Sequence, residues 1–194
     1  MIENILTKKQ ASLRVKLTVK TLISTAIIIL AVVLPQIAHA AAGAQAGITL
    51  LPMYLPVLLG GCLLGPVWGL GVGVLSPLAS FLITSALGTP MPAAARLPFM
   101  MAELAVFALV TGLFSQKIEK HAWLAFPAVL LAQVSGRAFL LLAVALFQSI
   151  TPFTVTAIWG QIKTGLIGIV LQAAIVPLTV IGLKYLLDKE NSRD

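Results

Sequence analysis

"AGITLLPMYLPVLLGGCLLGPVWGLGVGVLSPLASFLITSAL", residues 46–87, runs for 42 residues without a charged side chain. A helix rises about 1.5 Å per residue and the hydrocarbon core of a bilayer is about 30 Å thick, so one pass takes about 20 residues. The stretch is therefore too long for a single pass. It divides at Gly65-Pro66, because glycine closes helices and proline suits the first turn of the next. The expected spans are 47–64 and 66–87.

Working outward, "TLISTAIIILAVVLPQIAHA" (21–40) continues to about Ala42 as a first span. A basic start, an apolar stretch and Ala-His-Ala ending at Ala40 also fit the outline of a cleaved secretory signal. The membrane span is the preferred reading. Downstream, "GTPMPAAAR" (88–96) is a turn-rich loop. Leu97–Ser115 is the fourth span, "QKIEKH" (116–121) a short charged loop, and Trp123–Phe147 the fifth span. After "QSITPFT" (148–154) the sixth span runs from Val155 to Leu187, with a kink expected at Pro177.

The composition agrees. Of 194 residues, 59% are hydrophobic and only 10% charged, where a soluble domain carries about 25%. Mean hydropathy is +1.05. The alternation of a membrane β-barrel, in strands of about 10 residues, is missing. The fold class expected is an all-α integral membrane protein of six transmembrane helices. One membrane domain (20–187) lies between a basic N-terminal segment (1–19) and a short tail (188–194).

Charge placement sets the expected topology. Lys8, Lys9, Arg14, Lys16 and Lys20 precede the first span; Lys117 and Lys120 sit in one loop; Lys184, Lys189 and Arg193 close the chain. Six passes put these three clusters on one side, which the positive-inside rule makes cytoplasmic together with both termini. The net charge of +7 thus serves the bilayer, since the basic face with base-stacking aromatics that nucleic acid requires is not visible. Cys62 is single, so no disulfide framework exists.

Three cations and one carboxylate remain inside the spans or the outer loops: Arg96, Glu103, Arg137 and Lys163. Charges in a membrane are costly and usually face the bundle interior or a watery site. By helical rise, Glu103 lies roughly 9 Å, Arg137 roughly 15 Å and Lys163 about one to two turns below the outer ends of their helices. All three occupy the outer half. Gln133 and Arg137, four apart, share a helix face with Gln148; Gln161, Gly165, Gly168 and Gln172 form a similar stripe. Lys163 points roughly 200° from Gln161 and is better placed to snorkel beside Trp159. Glu103 and Arg137 have two readings at this point, a structural ion pair and a ligand-contacting pair. Buried pairs add little net stability, which favours specificity as the reason for them.

Other chemistry is excluded. His39 and His121 fall on opposite sides of the membrane, so no histidine metal site is expected. Both Asp residues lie in the tail, so no Ser-His-Asp triad can form. No Walker loop is present, and "GLGVG" follows no strand. No cofactor is implied. Gly65, Gly69 and Gly73, spaced four apart, allow close approach of another backbone, most simply within the bundle.

"LPMYLPVLLGGCLLGPVWGLGVGVLSPLASFLITSALGTPMP" (51–92), "PFMMAEL" (98–104), "SGRAF" (135–139) and "GLIGIVLQAAIVPL" (165–178), in this order and spacing, resemble the S components of energy-coupling factor (ECF) transporters. The likeness is greatest to the vitamin-uptake group and extends over about residues 20–185. It implies a membrane subunit of a bacterial cytoplasmic membrane that captures a vitamin or vitamin precursor from outside. It also implies partners: a membrane coupling subunit carrying two cytoplasmic ATPases, which would account for the missing Walker motif. The ligand would lie in the outer half, between the fourth to sixth helices and the outer loops.

On this reading Arg137 meets an anionic or acceptor group, and Glu103 accepts from the ligand or orients Arg137. Gln133 and Gln161 supply neutral hydrogen bonds, Tyr54 and Arg96 cover the site, and Lys163 ranks below Arg137. Two departures from the family pattern stand out. Tyr54 occupies a position where members often carry His. The Ala-x-x-x-Ala docking pattern of the first helix is broken, Ala26 and Ala31 being five apart, so Thr21, Thr25 and Ala26 are the docking candidates. The rival functions are an intramembrane enzyme using Glu103 as a base, and a scaffold that binds nothing.

Overall fold

A computed structural model describes residues 13–191. Lys8, Lys9 and Arg193 of the basic clusters lie outside them, as do most of the N-terminal segment and the end of the tail. The regular structure of the described residues is helical, in eight α-helices joined by short 3₁₀ turns and loops. They are α1 (Leu13–Leu50), α2 (Tyr54–Leu64), α3 (Pro66–Ala86), α4 (Leu97–Leu113), α5 (Ser115–Lys120), α6 (Ala125–Phe147), α7 (Val155–Thr164) and α8 (Leu166–Asn191). Among the described residues, five segments are long and apolar enough to cross a membrane: Arg14–Gly43, Pro66–Ala86, Ala94–Leu113, Ala122–Phe147 and Leu166–Lys189.

The first apolar run is a membrane-length helix, and its helical geometry fails at Ala42 and Gly43, where Gly43 adopts φ 72. That matches the expected end of the apolar run. The second span differs from expectation. Residues up to Leu50 continue the α1 segment, Leu51 takes φ 50, and α2 covers only 11 residues. Pro52 explains the break, since proline disfavours the α region for the residue before it. At about 16 Å, α2 is shorter than a hydrocarbon core. It is buried instead: Tyr54, Val57, Leu58 and Cys62 all belong to the central core. A helix that is apolar all round suits such a position.

The last span also differs. The chain breaks at Gly165, between α7 and α8, and remains helical through Pro177. The break falls where α7 and α8 meet the α1–α2 turn. A Cβ on Gly165 would lie 2.9 Å from Leu51 Cδ1, and one on Gly168 would lie 2.6 Å from the Leu50 carbonyl oxygen.

Glycines set the tightest packing. Gly65, at φ 86, ends α2 and hands over to Pro66 at the start of α3. A Cβ on Gly69 would stand 3.2 Å from the Ala108 carbonyl oxygen, one on Gly73 2.6 Å from that of Leu104, and one on Gly112 2.6 Å from Pro66 Cα. Contacts that climb α3 as they descend α4 describe an antiparallel pair at backbone contact. The glycine row therefore packs within the bundle. Ile27 and Ala31 of α1, Leu104, Phe107 and Ala108 of α4, Val129 of α6 and Val176 of α8 complete the core. Outside, Leu22, Val67, Leu142 and Ile167 are among many exposed aliphatic side chains. Such a girdle is what lipid covers.

A bulky residue on the glycine row separates α3 from α4. Gly73→Leu is expected to cost about 1–3 kcal/mol by overpacking. Gly71→Leu, where a Cβ meets nothing within 4 Å, is expected to be neutral. Thermal unfolding in detergent distinguishes them, and equal midpoints would refute the packing.

Candidate functional site

Six residues into α4, Glu103 is only 1% exposed. A carboxylate so placed needs partners for both oxygens. It has them. The Tyr54 hydroxyl donates to Oε2 at 2.8 Å, and an Arg137 terminal nitrogen donates to Oε1 at 2.7 Å. The Arg137 guanidinium also lies over the Tyr54 ring, 4.8 Å from its centroid, and 5.9 Å from that of Phe107. Tyr54 and Phe107 pack at 5.3 Å. The cation is thus held by a charge-assisted hydrogen bond and two aromatic faces. Gly136, next to Arg137, makes room for this, because a Cβ there would collide with the Phe107 ring.

Beside this cluster is a cavity of about 370 Å³, in the size range of small-molecule sites. Arg137 and Tyr54 form part of its wall. Pro35 and His39 of α1 line it, as do Met53 before α2, Ser80 of α3, Met100 of α4 and Gln161 of α7. The loop from Pro90 to Ala93, together with Arg96, covers another side. That loop is clasped to α3. The Met91 amide donates to Thr84 Oγ1 at 2.8 Å, and Ser80 Oγ donates to the Met91 carbonyl at 2.9 Å. Two side chains of the cavity wall each keep one buried polar atom without a hydrogen-bond partner, Arg137 Nε and Gln161 Oε1.

The residues singled out in the sequence separate into three groups. Arg137, Tyr54, Arg96 and Gln161 meet at the cavity. Glu103 lies behind its wall, joined to it through Arg137 and Tyr54. Gln133 and Lys163 are elsewhere. Gln133 donates to the Ile169 carbonyl at 3.0 Å and to Gln172 Oε1 at 3.3 Å, and Gln172 in turn donates to the carbonyls of Leu50 and Leu51. This network ties α6 and α8 to the α1–α2 turn. Lys163 is exposed, with Nζ 5.8 Å from the Trp159 ring centroid.

His39, Met53, Met100 and the Thr84–Met91 clasp are site features that sequence reasoning misses. His39 lines the cavity from α1, one turn beyond Pro35 and shortly before the break at Ala42 and Gly43. No cluster of potential metal ligands exists among the described residues. As a catalytic base Glu103 is poorly placed, since both oxygens are occupied and almost no surface is exposed.

A family model described as "ECF transporter, substrate-specific component" matches residues 15–180. No curated protein and no solved structure matches the chain.

The Glu103–Arg137 pair makes a specific energetic prediction. Arg137→Ala strands a buried carboxylate and is expected to cost about 3–5 kcal/mol. The double variant Glu103→Gln/Arg137→Gln removes both charges and is expected to cost less than Arg137→Ala alone. Unfolding of the single and double variants in detergent measures the coupling. Additive losses would show that the two side chains do not act as a pair.

Proposed function

The chain belongs to the substrate-specific components of ECF transporters, and we propose that its cavity captures a vitamin or vitamin precursor on the outer face of a bacterial cytoplasmic membrane. As a family member it is a multi-pass membrane protein and the substrate-binding subunit of an ECF importer, working with ECF membrane and ATPase subunits. It is not an enzyme. That disposes of Glu103 as a catalytic base and of the inert scaffold.

One observation carries the reading of the site. A cavity of about 370 Å³ is walled by an arginine whose position is fixed from behind by a buried carboxylate and a tyrosine hydroxyl. Fixing a cation this way is costly for a merely structural contact and useful for recognition, where preorganised donors reduce the ordering cost of binding. The role proposed for Glu103 is to position Arg137, while Arg137, Arg96, Gln161 and Tyr54 meet the solute. Gln133 supports the wall through the α6–α8 network, and Lys163 anchors α7 near the interface.

The proposed topology has six passes, α2 serving as a short one, with both termini cytoplasmic. Supporting it, Lys184 near the end of α8 donates to the Lys120 carbonyl at the end of α5, so two basic segments meet at one end of the bundle. For docking on the membrane subunit we assign the face of α1 that carries Thr21, Thr25 and Ala26, all exposed. Ala31 is fully buried against the core and belongs to the opposite face.

Two measurements test this reading. Native mass spectrometry of gently purified protein is expected to find a small molecule that Met100→Trp, which fills the cavity from α4, displaces. Equal retention in both proteins would contradict the cavity assignment. Thr25→Trp/Ala26→Trp is expected to reduce co-purification of the membrane and ATPase subunits without altering the melting midpoint. Undiminished recovery would place docking elsewhere.

A further inference from the structure

Charge around the cavity is unbalanced. Between residues 4 and 118 the sequence has a single acidic residue, Glu103, and between 120 and 187 it has none. Every element lining the cavity falls within those two ranges. Glu103 is already engaged by Arg137 and Tyr54. Arg96, on the cavity wall, makes no ion pair with any described residue. The site therefore carries two arginines against one carboxylate. It has no carboxylate left to receive a positively charged solute.

The unsatisfied groups point the same way. Arg137 Nε is a buried donor without an acceptor, and Gln161 Oε1 is a buried acceptor without a donor. Leaving such groups unpaired is costly, and hydrogen bonds to a charged partner are the stronger kind. Apart from His39 and Ser80, the other side chains of the wall are apolar, among them Pro35, Pro52, Met53, Pro90, Pro92 and Met100. The rings of four prolines give it fixed surfaces, and the methionines give it adaptable ones.

Volume bounds the size. An apolar cavity of about 150 Å³ accommodates benzene, or about 25 Å³ for each non-hydrogen atom. A cavity of about 370 Å³ then holds about 15 such atoms.

We propose that the cavity is selective for a small monoanion, a carboxylic acid of up to about 15 non-hydrogen atoms. Its carboxylate is held by Arg96 and Arg137, its apolar body lies on the proline and methionine walls, and a hydroxyl or amide N–H donates to Gln161. A single negative charge balances the excess of one arginine over the carboxylate. A phosphate monoester, with a charge of about −1.5 to −2 near pH 7, overcompensates it. This inference rests on the capture function proposed above and adds the chemical class of what is captured.

The test incubates purified full-length protein with a small-molecule extract of bacterial cells, removes unbound solutes by gel filtration, and identifies what is retained by mass spectrometry. The expected result is a carboxylic acid within the size limit. Arg96→Gln, at an unchanged melting midpoint, is expected to lower its affinity by about tenfold or more, the equivalent of one charge-assisted hydrogen bond. Arg96→Lys is expected to restore part of the loss. The methyl ester of the retained acid is expected to bind about tenfold more weakly or worse. A retained solute that is neutral, cationic, a phosphate ester or much larger would overturn the selectivity while leaving capture intact. So would unchanged affinity in Arg96→Gln or for the ester. Retention of nothing above the buffer control would overturn capture itself, and this inference with it.

Discussion

A carboxylate buried within a membrane bundle must be satisfied from all sides, and around Glu103 that requirement organises the site. Its two oxygens take a tyrosine hydroxyl from α2 and an arginine from α6, so three helices meet at one side chain. The benefit is geometric rather than a large net gain in stability, because desolvation offsets most of the Coulomb attraction in a buried pair. What the pair secures is the place of Arg137. With its guanidinium held by Glu103 and flanked by the Tyr54 and Phe107 rings, the arginine cannot swing freely where it walls a solute-sized cavity.

Backbone packing makes that arrangement possible. α4 carries Glu103 into the centre only because α3 offers glycines where α4 presents carbonyls, and because Gly136 leaves room for Phe107. The short buried α2 plays a matching part. It is too short to cross a bilayer core on its own, yet it delivers Tyr54 to Glu103 and packs its whole circumference. A second polar network, from Gln133 through Gln172 to the carbonyls of Leu50 and Leu51, secures the turn that precedes it. That turn has little regular structure of its own, so its carbonyls accept side-chain donors instead.

Much of this is legible in the amino-acid sequence. Apolar length gives the helical membrane class, Gly65-Pro66 gives the α2–α3 boundary, and isolated charges in apolar runs give Glu103 and Arg137. Depth estimates from helical rise bring those two together. Helical phase separates Lys163 from the site. Other features are hidden for physical reasons. Pro52 stops a helix locally, but an apolar run does not show whether a helix spans lipid or is wrapped by protein, as α2 is. Pro177 reads as a kink, yet the break falls at Gly165, where contact with Leu51 demands a missing side chain. Gln133 shares a face with Arg137 and still serves a different network, because one helical turn is enough to pass from the cavity wall to the α8 contact. His39 lines the cavity one turn beyond Pro35, a placement set by how α1 packs on the other helices.

As a substrate-specific component of an ECF transporter, the chain is a substrate-binding subunit that works with ECF membrane and ATPase subunits. The account rests centrally on Glu103 positioning Arg137 while a solute touches Arg137 and not Glu103. The most direct measurement is an experimentally determined structure of the solute-loaded protein in lipid. The predicted result has the solute's acceptor group at hydrogen-bond distance, about 2.7–2.9 Å, from Arg137, with Glu103 still paired to Arg137 and Tyr54. A solute bound outside this cavity, or a Glu103 carboxylate released from Arg137 to contact the solute directly, would contradict it.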